Sequence, residues 1–300
     1  MKKFICSLTA FVLAALSACA SGGADPSVSG ASGGGASGAA SVMEESASAP
    51  AQSGAGTASN VPAANSGAPD IGSLDNKKYC WGQGYNCNEK NQPLSCIEYN
   101  EKFSKYGGLF LTDREDSVCL TFDEGYENGY TAAILDTLKE KSVPAVFFVT
   151  YDYVKNNPDL VRRMIDEGHT VGNHSWSHPS MPEISAEQAA GQITRLHDYV
   201  KENFGYTMTL FRAPKGEFSV RTLEIARQLG YKSVFWSFAY YDYNPNDQPS
   251  TDKAFTRVTE AVHGGAIYLL HAVSRTNTDI LPEVIDSIRK SGYKLNLKGL

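Results

Sequence analysis

The sequence is short of the features that mark several common classes of protein. It has no extended run of lysine or arginine, and its 33 acidic residues outnumber its 27 basic ones. Nucleic acid is therefore not expected as a partner, because its phosphates call for a basic surface. The N-terminal apolar run, Phe4 to Leu16, is also shorter than the roughly 20 residues that a membrane-spanning helix needs.

The N-terminus instead predicts export with a lipid anchor. Lys2 and Lys3 precede the apolar run, and Leu16-Ser17-Ala18-Cys19 follows it. A basic start, a short apolar segment and small residues before a cysteine describe an export signal. The four residues also resemble the lipobox of bacterial lipoproteins. We expect residues 1–18 to be a signal peptide, and Cys19 to carry lipid at the outer face of the bacterial cytoplasmic membrane. An ordinary secretory signal cleaved near Ala18 or Ala20 is the alternative.

The segment after this signal lacks the residues that build a folded core. From Ala20 to Asp70 there is no aromatic residue, no Leu or Ile and no Lys or Arg, and most positions are Ala, Ser or Gly. Such a composition cannot bury enough apolar surface to offset the entropy lost on ordering. We expect residues 19–75 to form a disordered tether with a mean reach of about 40 Å.

Cysteine is scarce, with six in 300 residues, and the sequence does not decide how the four beyond the signal pair. Cys80, Cys87, Cys96 and Cys119 allow three connectivities, and their spacing does not fit a zinc ribbon. Cys119 lies inside an apolar strand pattern, so it is a candidate buried thiol. Residues 76–115 carry the other three and show no clear periodicity. We interpret them as an irregular N-terminal extension packed on the main domain.

Residues 116–300 alternate between strand and helix patterns. Seven apolar runs typical of buried strands are separated by helical stripes with capping signals. For example, Ser185-Ala186-Glu187-Gln188 is a capping box that precedes a helix. This alternation predicts one α/β domain with a parallel sheet, open or closed into a barrel. The predicted strands span residues 117–122, 145–150, 170–173, 208–211, 231–237, 266–270 and 293–297.

Residues capable of chemistry follow five of these strands. In parallel α/β folds, functional groups collect where the carboxyl ends of the strands share one edge of the sheet. Ionisable residues without a function would be scattered over both edges, so their concentration predicts an active site. The strand ends carry Asp123 with Glu124, His174 with His178, Arg212 with Lys215, Trp236 with Asp242, and His271.

His174 and His178 are the clearest indication of a metal. At a spacing of four residues on a loop beyond a strand, both Nε2 atoms can reach one divalent cation, for which imidazole is a common neutral ligand. A pair of surface loop histidines without a ligand is the alternative. The other chemical groups along the same edge favour the metal site.

Three segments of the chain together indicate a family. They are Thr121-Phe122-Asp123-Glu124-Gly125-Tyr126-Glu127-Asn128-Gly129-Tyr130-Thr131, His174-Ser175-Trp176-Ser177-His178-Pro179 and Leu270-His271. They resemble the polysaccharide deacetylase family, also described as the NodB homology domain or carbohydrate esterase family 4. The resemblance covers about residues 76–297, and it is closest to the branch that deacetylates muramic acid on the way to muramic-δ-lactam. It implies a distorted (β/α)7-type barrel, a bound divalent metal (zinc before cobalt or manganese) and hydrolysis of N-acetyl groups on peptidoglycan or a related glycan.

Amide hydrolysis assigns a role to four of these residues. Asp123 is the expected general base, and His271 is the general acid that protonates the departing nitrogen. Arg212 is expected to pair with Asp123 and keep it ionised. By the resemblance, Asp242 would hold the His271 ring in its working orientation.

The third metal ligand is expected to be Glu124, where the family usually has a second aspartate. Neighbouring residues of an ideal strand point to opposite faces, so Asp123 and Glu124 can both face the site only if the chain turns there. Gly125 permits such a turn. A carboxylate that is one methylene longer is also expected to change the geometry of the metal site and its affinity for the metal.

Substrate contacts are expected from two tryptophans and from the family's Arg-x-Pro-x-Gly motif. Core packing is an equal alternative for Trp236. Muramic acid differs from glucosamine by a lactyl carboxylate, which Arg212 or Lys215 could bind through charge-assisted hydrogen bonds. The residues expected to contact the sugar are Trp176, Pro214, Lys215, Gly216 and Trp236.

Several alternatives to muramic acid deacetylation stay open at this point. Within enzymes they are deacetylation of N-acetylglucosamine in peptidoglycan or chitin-like chains, and removal of O-acetyl groups from xylan. A non-catalytic glycan-binding lipoprotein is the alternative of another class. A glycosidase using Asp123 and Glu124 is disfavoured, because adjacent strand carboxylates do not span the roughly 5–10 Å that this chemistry requires.

Overall fold

The computed structural model describes residues 69–300. The predicted signal peptide, Cys19 and most of the predicted tether lie outside the described residues. Within the tether's last residues, Ile71–Ser73 form a 3-10 turn, and the Asp75 carbonyl accepts a hydrogen bond from the Arg221 amide. No helix in residues 69–300 is both long enough and apolar enough to cross a membrane.

In the described part of the chain, eight parallel strands form the main sheet, and eight α-helices flank it. Its order is β10-β3-β4-β5-β6-β8-β2, with β9 paired to β3, while β1 and β7 form a separate antiparallel pair. The strands are β1 Tyr79–Cys80, β2 Gly108–Leu109, β3 Ser117–Glu124, β4 Ala145–Val149, β5 Thr170–Asn173, β6 Leu210–Phe211, β7 Glu217–Phe218, β8 Lys232–Val234, β9 Ala266–His271 and β10 Lys294–Leu295. The helices are α1 Leu94–Phe103, α2 Thr131–Glu140, α3 Tyr151–Asn156, α4 Pro158–Asp166, α5 Ala186–Phe204, α6 Val220–Gln228, α7 Thr251–Glu260 and α8 Arg275–Lys290.

Hydrogen bonds made by the segment after β8 close the sheet into a barrel. The Ser237 amide donates to the Ile267 carbonyl of β9 at 2.9 Å, and the Leu269 amide donates to the Phe238 carbonyl at 2.8 Å. The chain after β8 is thereby joined to β9, which is itself paired with β3. This confirms the distorted barrel expected from the sequence. All seven predicted strands are present, although those at 208–211, 231–237 and 293–297 are shorter than predicted.

The alternation of side chains along β4 separates the inside of the barrel from the layer under the helices. Val146 and Phe148 pack with Leu210, Val234 and Ile267 from other strands, which makes a small cluster inside the barrel. The residues between them, Phe147 and Val149, belong to the larger core under the helices. Successive side chains of a strand point to opposite faces, so each strand supplies both layers.

The N-terminal extension is more regular than the sequence indicated. It contains α1, and its strand β2 pairs with β8 of the main sheet. Trp81 is buried against Tyr99 and Phe110, so it packs in the core. The sequence shows no strand pattern in this extension because β1 and β2 have two residues each, which is too few to show alternation.

All four described cysteines are free thiols in the structure. Cys96 and Cys119 are buried, whereas Cys80 and Cys87 are exposed. Cys119 donates a hydrogen bond to the Asn296 carbonyl, which agrees with its prediction as a buried thiol. Burial raises the pKa of each of the two buried thiols to about 12, so both are unreactive at neutral pH.

Candidate active site

The two predicted metal-ligand histidines lie on the loop that follows β5. His174 comes directly after the strand, and its Nδ1 lies 2.9 Å from the Arg212 carbonyl oxygen. Because a carbonyl can only accept, Nδ1 carries the proton and the lone pair is on Nε2. That Nε2 lies 3.2 Å from Nε2 of His178. His178 has a left-handed backbone, with φ of 55°, and this turn directs its ring back toward His174.

Burial keeps both imidazoles neutral at pH 7. It lowers the pKa of His178 to about 4, with a further contribution from His174, and it also lowers the pKa of His174. Neutral imidazole is the form that binds a metal. The pair is therefore in the right protonation state to act as ligands.

Asp123 and Arg212 form a buried ion pair beside the histidines. Arg212 is fully buried, and its Nη1 donates to Asp123 Oδ1 at 2.7 Å. Its other donors reach the carbonyls of Val234 and Phe235. Burial alone would raise the pKa of Asp123, but the Arg212 charge and the neighbouring histidines outweigh it, so the pKa of Asp123 is lowered. Asp123 is therefore ionised at neutral pH, as a general base must be.

His271 lies next to Asp123 on the neighbouring strand and is held by Asp242. The register of β3 and β9 pairs Asp123 directly with His271. Nδ1 of His271 lies 2.7 Å from Asp242 Oδ1, and its amide donates to Oδ2 at 2.9 Å. Burial alone would lower the pKa of His271, but the charge and hydrogen bond of Asp242 raise it overall. The ring is thus poised to carry a proton near neutral pH.

Asn277 completes this arrangement, although no sequence pattern indicated a role for it. Its side-chain amide donates to Asp242 Oδ2 at 2.6 Å and to the His271 carbonyl at 3.1 Å. Asn277 lies in the first turn of α8, and its backbone amide donates to the hydroxyl of the N-cap residue Ser274. A polar residue in the first turn of a helix is ordinary, so its functional contact depends on tertiary structure alone.

Glu124 does not join the histidines, which corrects the sequence-based prediction. β3 stays paired with β4 through Glu124, so the chain has not yet turned and its side chain points away from that of Asp123. It is fully buried, with Oε1 3.4 Å from the Thr131 hydroxyl and Oε2 without a partner. Burial, reinforced by Glu127 and Asp123, raises its pKa well above the usual value. Burial under the helices therefore favours the neutral acid form of Glu124.

We expect Glu124→Gln to leave turnover and metal content within about twofold of the wild type, because it replaces a neutral acid by a neutral amide of the same shape. Metal analysis and deacetylase assays on the purified variant check this. The matched loss-of-ligand variant is His174→Ala, which is expected to lose the metal. A comparable loss of metal in Glu124→Gln would restore Glu124 as a ligand.

The donor atoms that are in place suit a divalent cation. Two imidazole nitrogens bound about 2.1 Å from a tetrahedral zinc ion lie roughly 3.4 Å apart, close to the separation of the two Nε2 atoms. The carboxylate beside them is Asp123, whose Oδ2 lies 3.5 Å from His174 Nε2. In residues 69–300, no group of three His, Cys, Asp or Glu side chains is already arranged to hold a metal ion. The set at the site is thus two imidazoles, with Asp123 as the neighbouring carboxylate.

These groups open into a cavity of about 600 Å³ at the carboxyl edge of the barrel. Of the five predicted sugar contacts, Lys215, Gly216 and Trp236 line it. Pro214 is buried and lies outside the lining. The lining as a whole consists of Asp123, Gly125, Tyr126, His174, His178, Lys215, Gly216, Trp236, Ala239, Tyr240, Tyr243, Leu269, His271 and Val273.

Trp176 is not a sugar platform, which is a second correction. Its ring is stacked on Tyr151 with centroids 3.6 Å apart, and the Arg195 guanidinium lies 4.0 Å from the ring centroid. Two groups this close to one ring must cover opposite faces, so neither face is open to a sugar. Both partners are distant in sequence, which is why the loop position alone was misleading.

Exposed aromatic residues concentrate at the mouth of this cavity instead. Tyr126 and Tyr243 line it and are 52% and 56% exposed. Tyr241, 45% exposed, packs edge-on against Tyr243 at a centroid distance of 4.8 Å. Large apolar side chains left in solvent around a cleft mark a binding surface. Sequence reasoning did not assign these tyrosines a role.

Comparisons with known proteins agree with this geometry. A family model described as polysaccharide deacetylase matches residues 111–234. The peptidoglycan-N-acetylmuramic acid deacetylase PdaA of Bacillus subtilis is 38% identical over 229 residues, which are 76% of this chain and 87% of that protein. A solved structure of PdaA, described as a family 4 carbohydrate esterase, superposes with a TM-score of 0.70 over 74% of this chain and 95% of the other.

A relative that acts on a different sugar is also similar. The peptidoglycan-N-acetylglucosamine deacetylase PgdA of Listeria monocytogenes is 33% identical over 177 residues, which are 59% of this chain and 37% of that protein. The similarity to PdaA is higher and spans more of both proteins.

Proposed function

This chain belongs to the polysaccharide deacetylase family, and we propose that it removes the acetyl group from N-acetylmuramic acid in peptidoglycan, on the route to muramic-δ-lactam, with the aid of a divalent metal. The observation that carries the proposal is the meeting of three units at one cavity: the Asp123–Arg212 pair, the two facing histidines and the His271–Asp242 pair. The similarity to PdaA supports the substrate.

The residues supply a base and an acid at the same cavity, where an acetamide can meet both. Asp123 takes a proton from the water whose oxygen adds to the acetyl carbon. His271 then gives its proton to the nitrogen as the carbon–nitrogen bond breaks, which leaves acetate and a free amine. Arg212 keeps Asp123 ionised and in place. His174 and His178 would hold a divalent ion such as zinc, which would supply Lewis-acid polarisation of the acetyl carbonyl.

Metal dependence is tested by removing and restoring the ion. Treatment of the full-length protein with a chelator is expected to abolish deacetylation of an N-acetylated glycan, and added zinc, cobalt or manganese is expected to restore it. Binding of the glycan without turnover under every metal condition would favour the alternative, a non-catalytic glycan-binding protein.

Lys215 is the candidate for selecting muramic acid over glucosamine. Arg212 cannot bind the lactyl carboxylate directly, because it is fully buried and already donates to Asp123 and two carbonyls. Among the described residues, Lys215 is the lysine or arginine that lines the cavity. Its backbone is left-handed, with φ of 59°, and it lies near enough to His178 to help lower the pKa of that ring.

We expect Lys215→Met to reduce the preference for N-acetylmuramic over N-acetylglucosamine residues about tenfold, because one charge-assisted hydrogen bond contributes about 1.5 kcal/mol. The measurement is kcat/KM on matched oligosaccharides of each kind. Lys215→Arg keeps the charge and is expected to keep most of the preference. An unchanged preference in Lys215→Met would show that Lys215 does not select muramic acid.

We also propose that the protein acts from a lipid anchor at the outer face of the cytoplasmic membrane. The sequence Leu16-Ser17-Ala18-Cys19 and the polar tether after it support this proposal. In cells, Cys19→Ala is expected to move the protein from the membrane fraction to the soluble or secreted fraction. Retention of the Cys19→Ala protein in the membrane would contradict the anchor.

A further inference from the structure

The N-terminal extension reaches into the wall of the catalytic cavity, although its residues 76–110 lie ahead of those that the family model matches. The Trp81 amide donates to the Gly216 carbonyl at 2.9 Å, and its indole nitrogen donates to the Trp236 carbonyl at 3.0 Å. Gln83 accepts from the indole nitrogen of Trp236 at 3.1 Å, and its amide donates to the Ala239 carbonyl at 2.9 Å. Gly216, Trp236 and Ala239 all line the cavity.

From these contacts we infer that Gln83 is a positioning residue for substrate binding: it fixes the Trp236 ring and the start of the loop after it against the sugar. The inference rests on the proposed function, since it concerns the same cavity. Gln83 lines a separate, smaller cavity behind this wall, and it does not touch the reacting groups. It acts through Trp236 and Ala239.

The Trp236 ring is held at both of its ends. Its indole nitrogen can only donate, and Gln83 provides the acceptor for it. At the far end, a Cβ on Gly216 would lie 2.8 Å from Cη2 of Trp236, so the ring abuts the bare glycine backbone. Only 8% of Trp236 is exposed. A ring clamped in this way presents one fixed surface to the cavity.

The same glutamine also anchors the loop that carries Asp242 and Tyr243. Ala239 is three residues before Asp242, and its carbonyl is the acceptor for the Gln83 amide. A glutamine side chain has one oxygen acceptor and one nitrogen donor. The indole needs the acceptor and the carbonyl needs the donor, so only one orientation of the amide satisfies both. Ser95 of α1 donates to the Gln83 carbonyl and holds its backbone in turn.

Removing this side-chain amide is expected to weaken substrate binding more than chemistry. Gln83→Met keeps the length of the side chain but loses both hydrogen bonds. The expected result is a rise in KM of about tenfold, which corresponds to two hydrogen bonds of typical net strength, with kcat within about twofold. Asp242 keeps its own contacts with His271 and Asn277, which is why kcat is expected to hold.

Gln92 provides a matched control in the same extension. It is also partly buried, donates to the Gly264 carbonyl at 3.0 Å and accepts from Asn88 at 3.0 Å. It does not line the catalytic cavity. Gln92→Met therefore removes the same kinds of bond from the extension, and it is expected to leave both KM and kcat unchanged.

The experiment combines kinetics with NMR of the indole groups in the full-length protein. The chain has three tryptophans. The indole signal that disappears in Trp236→Phe is the signal of Trp236. In Gln83→Met, the Trp236 indole signal is expected to shift and its proton to exchange faster, and adding Trp236→Phe is expected to raise KM little further. Gln92→Met is expected to leave that signal in place.

Two results would overturn the inference, and both differ from a failure of the proposed function. One is an unchanged Trp236 indole signal in Gln83→Met. The other is a KM of Gln83→Met within twofold of the wild-type value, even if the variant has lost thermal stability. If the wild type hydrolysed no acetylated glycan, the proposed function would fail. The dissociation constant for an N-acetylated oligosaccharide, followed on the same indole signal, would then replace KM in the comparison.

Discussion

Asp123→Asn is expected to lower kcat/KM about a thousandfold while the protein remains folded. Asparagine cannot accept the proton of the attacking water, and general base catalysis typically contributes between about a hundredfold and ten-thousandfold. The side-chain oxygen of the asparagine can still accept the hydrogen bond from Arg212 that Asp123 accepts at 2.7 Å. Some loss of stability is expected, since the buried guanidinium loses its counter-charge. The measurement is steady-state turnover beside a thermal unfolding curve.

Glu124→Gln is the natural control for Asp123→Asn, because the two carboxyl groups are adjacent on β3 and both are buried. They differ in the face of the strand from which they project. If both substitutions lowered turnover equally, the separation of roles between the two faces would be wrong. If neither did, Asp123 would not be the base.

His271→Ala is expected to lower kcat between about a hundredfold and ten-thousandfold, because the leaving nitrogen loses its proton donor. The raised pKa of His271 also sets the direction of the pH dependence. The acid must be protonated, so the rate falls as pH rises through the pKa of His271. In Asp242→Asn, the charge that raises this pKa is gone, and the falling limb of the pH profile is expected to move to lower pH.

The pH profiles of kcat in wild type and Asp242→Asn test this directly. The Asp242→Asn protein is expected to lose more activity at pH 8 than at pH 6. His197→Ala serves as the control, since His197 is a partly buried histidine bonded to Tyr231 away from the cavity. An alkaline limb that stays in place in Asp242→Asn, or that moves in His197→Ala, would contradict His271 as the acid.

The fold and the polar centre of the site could be predicted because both depend on local pattern and topology. The strands β3 and β4 are buried along their whole length and are mostly apolar, and parallel strands bring their carboxyl ends to one edge. Asp123 and His271 lie at the carboxyl ends of β3 and β9, and Arg212 follows β6 directly. Their meeting therefore needed no knowledge of distant contacts.

What the sequence could not show depends on contacts between distant segments or on where a strand ends. Glu124 was misassigned because one further residue of pairing decides which face it points to. Trp176 was misassigned because Tyr151 and Arg195 cover its faces. Asn277 and Gln83 are polar residues in ordinary local settings, and only the folded chain brings them to Asp242 and Trp236.

The most direct test of the central claim is to identify the sugar that loses its acetyl group. Purified peptidoglycan is incubated with the full-length protein, cut into disaccharide units and analysed by mass spectrometry with fragmentation of each sugar. The account predicts that muramic acid residues lose one acetyl group with the wild type and keep it with Asp123→Asn. Acetyl loss from glucosamine residues alone, or no acetyl loss at all with metal present, would contradict it.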